Sequence, residues 1–198
     1  MKNLICIFAA AAAFGAFAGV RAVTGLGGDG WSLWLDRKAE YKSDKLHLNP
    51  VDAEKIRAGR ADWLTPVDAK SLTVAGPTCG WDALFAKRVS WAKAADAWKD
   101  GSLSIDVSVP GTVEEYFFDA ISGDRKGERE TGDYKGVSWW GRKFAVPASA
   151  KGRRVALFFK EGIRQRAEVF VNRNLVGYEL VLQSPFEVDI TDAADFGG

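Results

Sequence analysis

Ala167-Glu168-Val169-Phe170-Val171-Asn172-Arg173-Asn174-Leu175-Val176-Gly177-Tyr178 reads as two strands folded about a tight connection. Valine recurs at every second position in Ala167-x-Val169-x-Val171, the period at which one face of a strand repeats. Asn172 and Asn174 tolerate the positive φ that a short connection demands, so Asn172-Arg173-Asn174 is the expected turn and Leu175–Tyr178 the returning strand. The alternation recurs outward from this hairpin. Val155-x-Leu157-x-Phe159 precedes it after a Lys151-Gly152 turn, and Phe186-x-Val188-x-Ile190 closes the series. Trp140-x-x-x-Phe144-x-Val146-Pro147 supplies another strand, and Leu103-Ser104-Ile105-Asp106-Val107-Ser108-Val109 alternates strictly. Several short alternating strands separated by turn signals predict an all-β fold, a jelly-roll β-sandwich.

The N-terminal half is less regular. Trp31–Asp36 reads as a short strand after a glycine-rich linker, residues 23–30. Val51–Ile56 suggests a helical turn, with Pro50, Pro66 and Pro77 punctuating what surrounds it. Trp81 to Trp98 carries apolar residues at loosely helical spacing and is expected to be helix. Pro110-Gly111 ends the 103–109 strand. Thr112-Val113-Glu114-Glu115 then fits a capping box, with Thr112 as N-cap of a short helix bearing Tyr116, Phe117 and Phe118. Residues 122–136 form a polar, glycine-rich loop longer than simple connection requires.

A length of 198 residues suits one domain, and 47% hydrophobic with 27% charged residues allows a real core. The 27 basic and 26 acidic residues are dispersed, so nothing tracks a phosphate backbone and no nucleic-acid partner is expected. Eight Trp and twelve Phe suit a rigid β-core, and also sugar recognition, since pyranose C–H faces pack on aromatic rings. Lys2 followed by the apolar stretch Leu4–Ala18 and small-x-small sites at Ala16-Phe17-Ala18 or Val20-Arg21-Ala22 has the tripartite form of an export signal. The apolar run falls short of the roughly 20 residues that span a membrane. The expected division is therefore a signal over 1–22, a linker over 23–30 and one sandwich domain over 31–198. The mature chain is expected to be periplasmic or secreted, with no membrane attachment after cleavage. Cys6 lies in the leader and leaves Cys79 alone, so no intrachain disulfide and no cysteine metal site are expected. His47 has no partner at metal or triad spacing. No metal and no cofactor are expected.

Four segments in order, with a fifth upstream, carry a family resemblance. Ser138-Trp139-Trp140-Gly141-Arg142-Lys143-Phe144-Ala145-Val146-Pro147 resembles the W-Y-x-R-x-F-x-V-P strand of the glycoside hydrolase family 2 sugar-binding domain, a galactose-binding-like jelly roll. Arg154–Phe159 with Glu161-Gly162 is similar to its R-V-x-L-x-F-E-G-V segment, and Ala167–Gly177 to its A-x-V-x-V-N-G-x-x-V-G hairpin. Ser184-Pro185-Phe186-Glu187-Val188-Asp189-Ile190-Thr191 resembles its T-P-F-E-V-D-I-T signature, and Val109-Pro110-Gly111-Thr112 its V-P-G-T. The likeness covers roughly residues 103–193, and most matched positions are ones a strand core needs. The resemblance implies the non-catalytic N-terminal domain of a retaining β-glycosidase, followed in that family by an immunoglobulin-like domain and a barrel carrying two catalytic glutamates. No residue here matches either glutamate, so the chain alone is expected to be inactive, with the barrel beyond Gly198. Expected partners are a β-linked glycan and those downstream domains. Two positions depart from the family: Arg173 stands where the hairpin usually has Gly, and the loop before the last signature is the apolar Glu179-Leu180-Val181-Leu182-Gln183.

Candidate contact residues follow. Trp139 and Trp140 are adjacent on a strand and so point to opposite faces; one is expected in the core, the other as a sugar platform or interdomain contact. Asp133, Tyr134 and Lys135 occupy the loop that in the family reaches over the catalytic pocket. Gln183 is the planar hydrogen-bonding group left in the loop before Ser184-Pro185. Glu114-Glu115 reads as helix capping and solvated charge, and Arg164 and Arg166 as strand-end residues. A stand-alone carbohydrate-binding module, or a purely structural sandwich docking a neighbouring domain, are the alternatives.

Overall fold

The computed structural model describes residues 21–37, 80–124, 134, 136–164, 167–179 and 183–197. The leader up to residue 20, the turn expected at 51–56, His47, Cys79, Asp133, Lys135 and Arg166 lie outside the described residues. What is described is built mostly of strands with a few short helices.

β1 (Gly28–Asp36) is one of the two inner strands of a four-stranded sheet. It lies between β3 (Ser104–Val109) and β4 (Val137–Gly141), antiparallel to both, and β2 (Arg88–Val89) adds parallel to β3. The strand begins at Gly28, so the last residues of the glycine-rich stretch pair with β3 instead of linking. Register sets Leu33 opposite Ile105 on one side and Trp140 on the other. Residues directly opposite across a ladder share a face, so Leu33, Leu35, Ile105 and Val107 form one apolar surface. Helices α2 (Ala94–Lys99) and α3 (Val113–Asp124) cover it with Ala94, Ala97, Trp98, Val113, Phe117 and Ile121. Val113, Phe117 and Ile121 stand four residues apart, the spacing that aligns one stripe on a helix. Leu33, Ile105 and Ile121 are each 0% exposed, and burying such a side chain contributes about 1.5–3 kcal/mol. Thr112 caps α3 as expected: its Oγ1 accepts from the Glu115 N–H at 3.2 Å.

The single helix expected over 81–98 is divided. α1 (Trp81–Ala86) ends before β2, and a 3₁₀ turn at Trp91–Lys93 leads into α2. Two forces divide it. Arg88 is held beside the sheet by Asp106 at 2.7 Å and donates to the buried Ser32 Oγ at 3.3 Å, while Val89 packs on the helical core. Ser90, in extended conformation, accepts from Ala92 N–H and restarts helix as an N-cap does. α1 lies on the sheet's other face. Ser104, fully buried, donates its hydroxyl to the Leu84 carbonyl at 2.9 Å, and Leu84 sits where any side chain on Gly141 would go.

β4 also departs from expectation, spanning Val137–Gly141 where the sequence suggests Trp140 to Val146. After Gly141 the chain leaves the ladder, and Arg142 donates to the carbonyls of Leu26, Gly27 and Asp29 at 2.8, 3.3 and 2.9 Å. Val146 makes only an isolated bridge to Phe196.

Two antiparallel ribbons complete the described fold: β5 (Ala156–Phe159) with β8 (Phe186–Asp189), and β6 (Ala167–Val171) with β7 (Asn174–Glu179). The hairpin connection is two residues, Asn172 and Arg173, with φ of 47° and 68°. Both central residues of a type I′ turn take positive φ, and Asn174 already pairs with Val171. Val169 pairs with Gly177 and Phe170 with Leu175, which leaves Val176 as a one-residue bulge. Gly177 permits a close approach: a Cβ there would lie 2.7 Å from Val188 Cγ1. Val169, Val171, Val176, Val188, Ile190 and Ala193 form the second core beneath these ribbons.

Candidate functional site

β4 carries the two tryptophans on opposite faces, as adjacent strand residues require. Trp140 lies opposite Leu33 and packs against the helix-covered core, its Nε1 donating to Ser138 Oγ at 3.0 Å. Trp139 lies opposite Trp34 on the other face. Its ring stacks on Phe170 of β6, with centroids 5.5 Å apart and planes at 28°, and Gly80 lies so close that a side chain there would overlap the indole. Trp139 therefore joins the four-stranded sheet to the β6–β7 ribbon. Its Nε1 is buried and has no hydrogen-bond partner among the described residues.

Tyr134 stands at the end of the 122–136 loop. Its N–H donates to Glu114 Oε1 at 3.1 Å, its hydroxyl donates to the Val137 carbonyl at 3.0 Å, and its ring meets Trp98 edge-on. Glu114 thus ties the loop's end to α3, an additional role beyond solvated charge. Gln183 sits apart from these residues. It is exposed, takes φ of 57°, and donates its N–H to the Ile163 carbonyl at 3.2 Å. Across from it Gly162 takes φ of 69°, and a Cβ there would lie 2.5 Å from the Ser184 carbonyl oxygen. The two loops are closed on each other at that end of the β5–β8 ribbon. Arg164 is exposed in the same loop. Trp139, Trp140 and Tyr134 thus cluster around β4, while Gln183 belongs to a different edge.

Three arginines organise the described surface without announcing it in the sequence pattern. Arg142 gathers three carbonyls, as above. Arg173, at the hairpin tip, pairs with Asp82 and lies over the Trp81 ring at 5.8 Å, latching the ribbon to α1. Arg154 bridges two carboxylates across β8, with Nη1 2.6 Å from Glu187 and Nε 2.9 Å from Asp189. The Thr191 hydroxyl and N–H, at 2.6 and 2.9 Å, hold the Asp189 carboxyl below its ordinary 3.8, and Arg154 adds to this. Arg154 in turn is pushed above its usual value by Glu187 and then Asp189.

Among the described residues no group of three or more His, Cys, Asp and Glu side chains is arranged to hold a metal ion.

No family model matches the chain. The β-galactosidase of Thermoanaerobacter pseudethanolicus is 40% identical over 65 residues, 33% of this chain and 9% of that protein. The β-glucuronidase of Formosa agariphila is 31% identical over 93 residues, 46% of this chain and again 9% of that protein. Among solved structures, the Lactobacillus rhamnosus β-glucuronidase matches with 30% identity and a TM-score of 0.40, over 47% of this chain and 14% of that one. The relatives are glycosidases, and the similarity spans only a small share of their length.

Proposed function

We propose that this chain is a non-catalytic jelly-roll module of a β-glycosidase-type protein, one that belongs to the N-terminal part of such an enzyme and works on carbohydrate through domains other than itself. The observation that carries this reading is the partial match to two glycosidases, each of which extends far beyond the matched stretch. In this reading residues 1–22 direct export to the periplasm or medium, and 31–198 form the module, whose first strand draws in the end of the 23–30 segment. Of the candidate contacts, Gln183 stands exposed on a closed loop and is the one suited to meet a sugar hydroxyl. Trp139, Trp140 and Tyr134 brace β4 at a different edge, and Asp133 belongs in sequence to the same loop as Tyr134.

The test is immunoprecipitation with an antibody against the chain from cells that produce it, followed by hydrolysis of aryl β-galactoside and aryl β-glucuronide. Precipitated β-glycosidase activity on a polypeptide containing these residues is expected. Recovery of a free chain without activity would instead favour a stand-alone module.

A further inference from the structure

The two cores share no residue, and they divide along the chain. The first, with everything packed on it, ends at Trp140; the second begins at Val155. Val146 already belongs with the second half, since its carbonyl accepts from the Gly197 N–H at 2.9 Å. Among the described residues the halves meet at a narrow seam. Trp139 of β4 stacks on Phe170 of β6. Leu175 stands opposite Phe170 across the hairpin and so shares its face; it is buried yet belongs to neither core, as a residue covered by the seam would be. At the hairpin tip Arg173 reaches over to Asp82 and the Trp81 ring of α1. We propose that the two ribbons open from the four-stranded sheet as one cooperative body, and that Arg173 on Asp82 is a salt-sensitive latch holding them closed.

The ribbons move together because neither has a core without the other. Val169, Val171 and Val176 of the hairpin pack with Val188 of β8, and Gly177 lets Val188 come close. A two-stranded ribbon alone is marginal in water. The ribbons open before the sheet because their core is the poorer one. Valine supplies four of its six buried residues, against Trp98, Phe117 and the leucines and isoleucines of the first. Burial stabilises in proportion to apolar area, and the less stable part of a fold opens first. Small interfaces between parts of one chain permit relative movement by default. Within the seam the stack and Leu175 are apolar, so salt screening leaves them unchanged. The Arg173 and Asp82 side chains are 44% and 75% exposed, which puts their attraction within reach of salt. The latch is a property of the fold and stands apart from the module's place in a glycosidase.

The experiment is native-state hydrogen exchange of the purified full chain, read by mass spectrometry at about 20 and 500 mM NaCl. Arg21→Gln is carried throughout, because Arg21 otherwise makes an exposed pair with Glu187 that salt would also screen. Amides of β5, β6, β7 and β8 should share one protection level, below that of β1 and β3. Asp82→Ala, a change in α1, should speed exchange in all four ribbon strands about two- to fivefold and leave β1 and β3 unchanged. The higher salt should act likewise on the chain with the latch intact and have no effect on Asp82→Ala. Phe170→Ala weakens the seam without touching the latch, so ribbon exchange should rise about tenfold while its salt dependence stays. Equal protection of ribbons and sheet overturns the proposal. So does an Asp82→Ala effect that is absent or confined to the hairpin tip, or a salt response that Asp82→Ala leaves intact.

Discussion

Replacing Trp139 separates a scaffold tryptophan from a sugar platform. Full truncation of a buried tryptophan costs about 3–5 kcal/mol, which includes its aromatic stacking. Trp139 is half-buried, and its buried indole N–H lacks a partner among the described residues, a defect that costs about 1–3 kcal/mol while it persists. Trp139→Ala loses the Phe170 stack and the cover of Gly80 but also removes that defect, for a net loss of about 2–3 kcal/mol. For a domain of this size that lowers the melting temperature by about 5–10 °C. Trp139→Phe keeps most of the stack and removes the orphan N–H, so it should lie within about 1 kcal/mol of wild type. Trp140→Phe is the contrast: its N–H is satisfied by Ser138, and losing that bond with some ring area should cost about 1–2 kcal/mol. Thermal and urea unfolding followed by circular dichroism reads all three. A Trp139→Ala protein that melts with the wild type, or a Trp139→Phe protein as damaged as Trp139→Ala, would refute the interior placement of this ring.

Gly177→Val should destabilise by about 1–3 kcal/mol, because the new side chain meets Val188 across the second core; urea unfolding measures it. Arg173→Ala keeps a non-glycine residue at positive φ and loses both Asp82 and Trp81, whereas Arg173→Gly loses them but relieves the strained backbone. The glycine variant should therefore be the more stable of the two by about 1 kcal/mol in thermal unfolding. Asp189 has a lowered folded-state pKa, so its contribution is present above the ordinary aspartate value of 3.8 and is lost as pH falls through the lower folded value. Thr191→Val removes the hydroxyl that most lowers it and should move acid unfolding to higher pH, as followed by tryptophan fluorescence.

The strands of the C-terminal third were legible because alternation there records a real two-sidedness: Leu157, Val169, Val171 and Val188 all reach one core. Residues 81–98 misled because Ala and Lys favour helix throughout, while the break depends on Arg88 finding Asp106 and Ser32 on strands far away in sequence. The β4 boundary was hidden for a similar reason. Val146 looks like strand locally, but Arg142 turns the chain toward carbonyls more than a hundred residues earlier. Opposite faces for Trp139 and Trp140 followed from strand geometry alone, yet what covers each ring is tertiary information. The Val155-x-Leu157-x-Phe159 alternation already set Phe158 on the opposite face, and what pairing adds is Glu187 as its cross-strand neighbour.

The most direct test of the central claim is an activity measurement on the purified full chain itself, with aryl β-galactoside and aryl β-glucuronide at high enzyme concentration. A module with no residue matching the family's two catalytic glutamates should give no turnover above buffer. Turnover that scales with chain concentration and is lost on changing one of its own carboxylates to the amide would contradict the account.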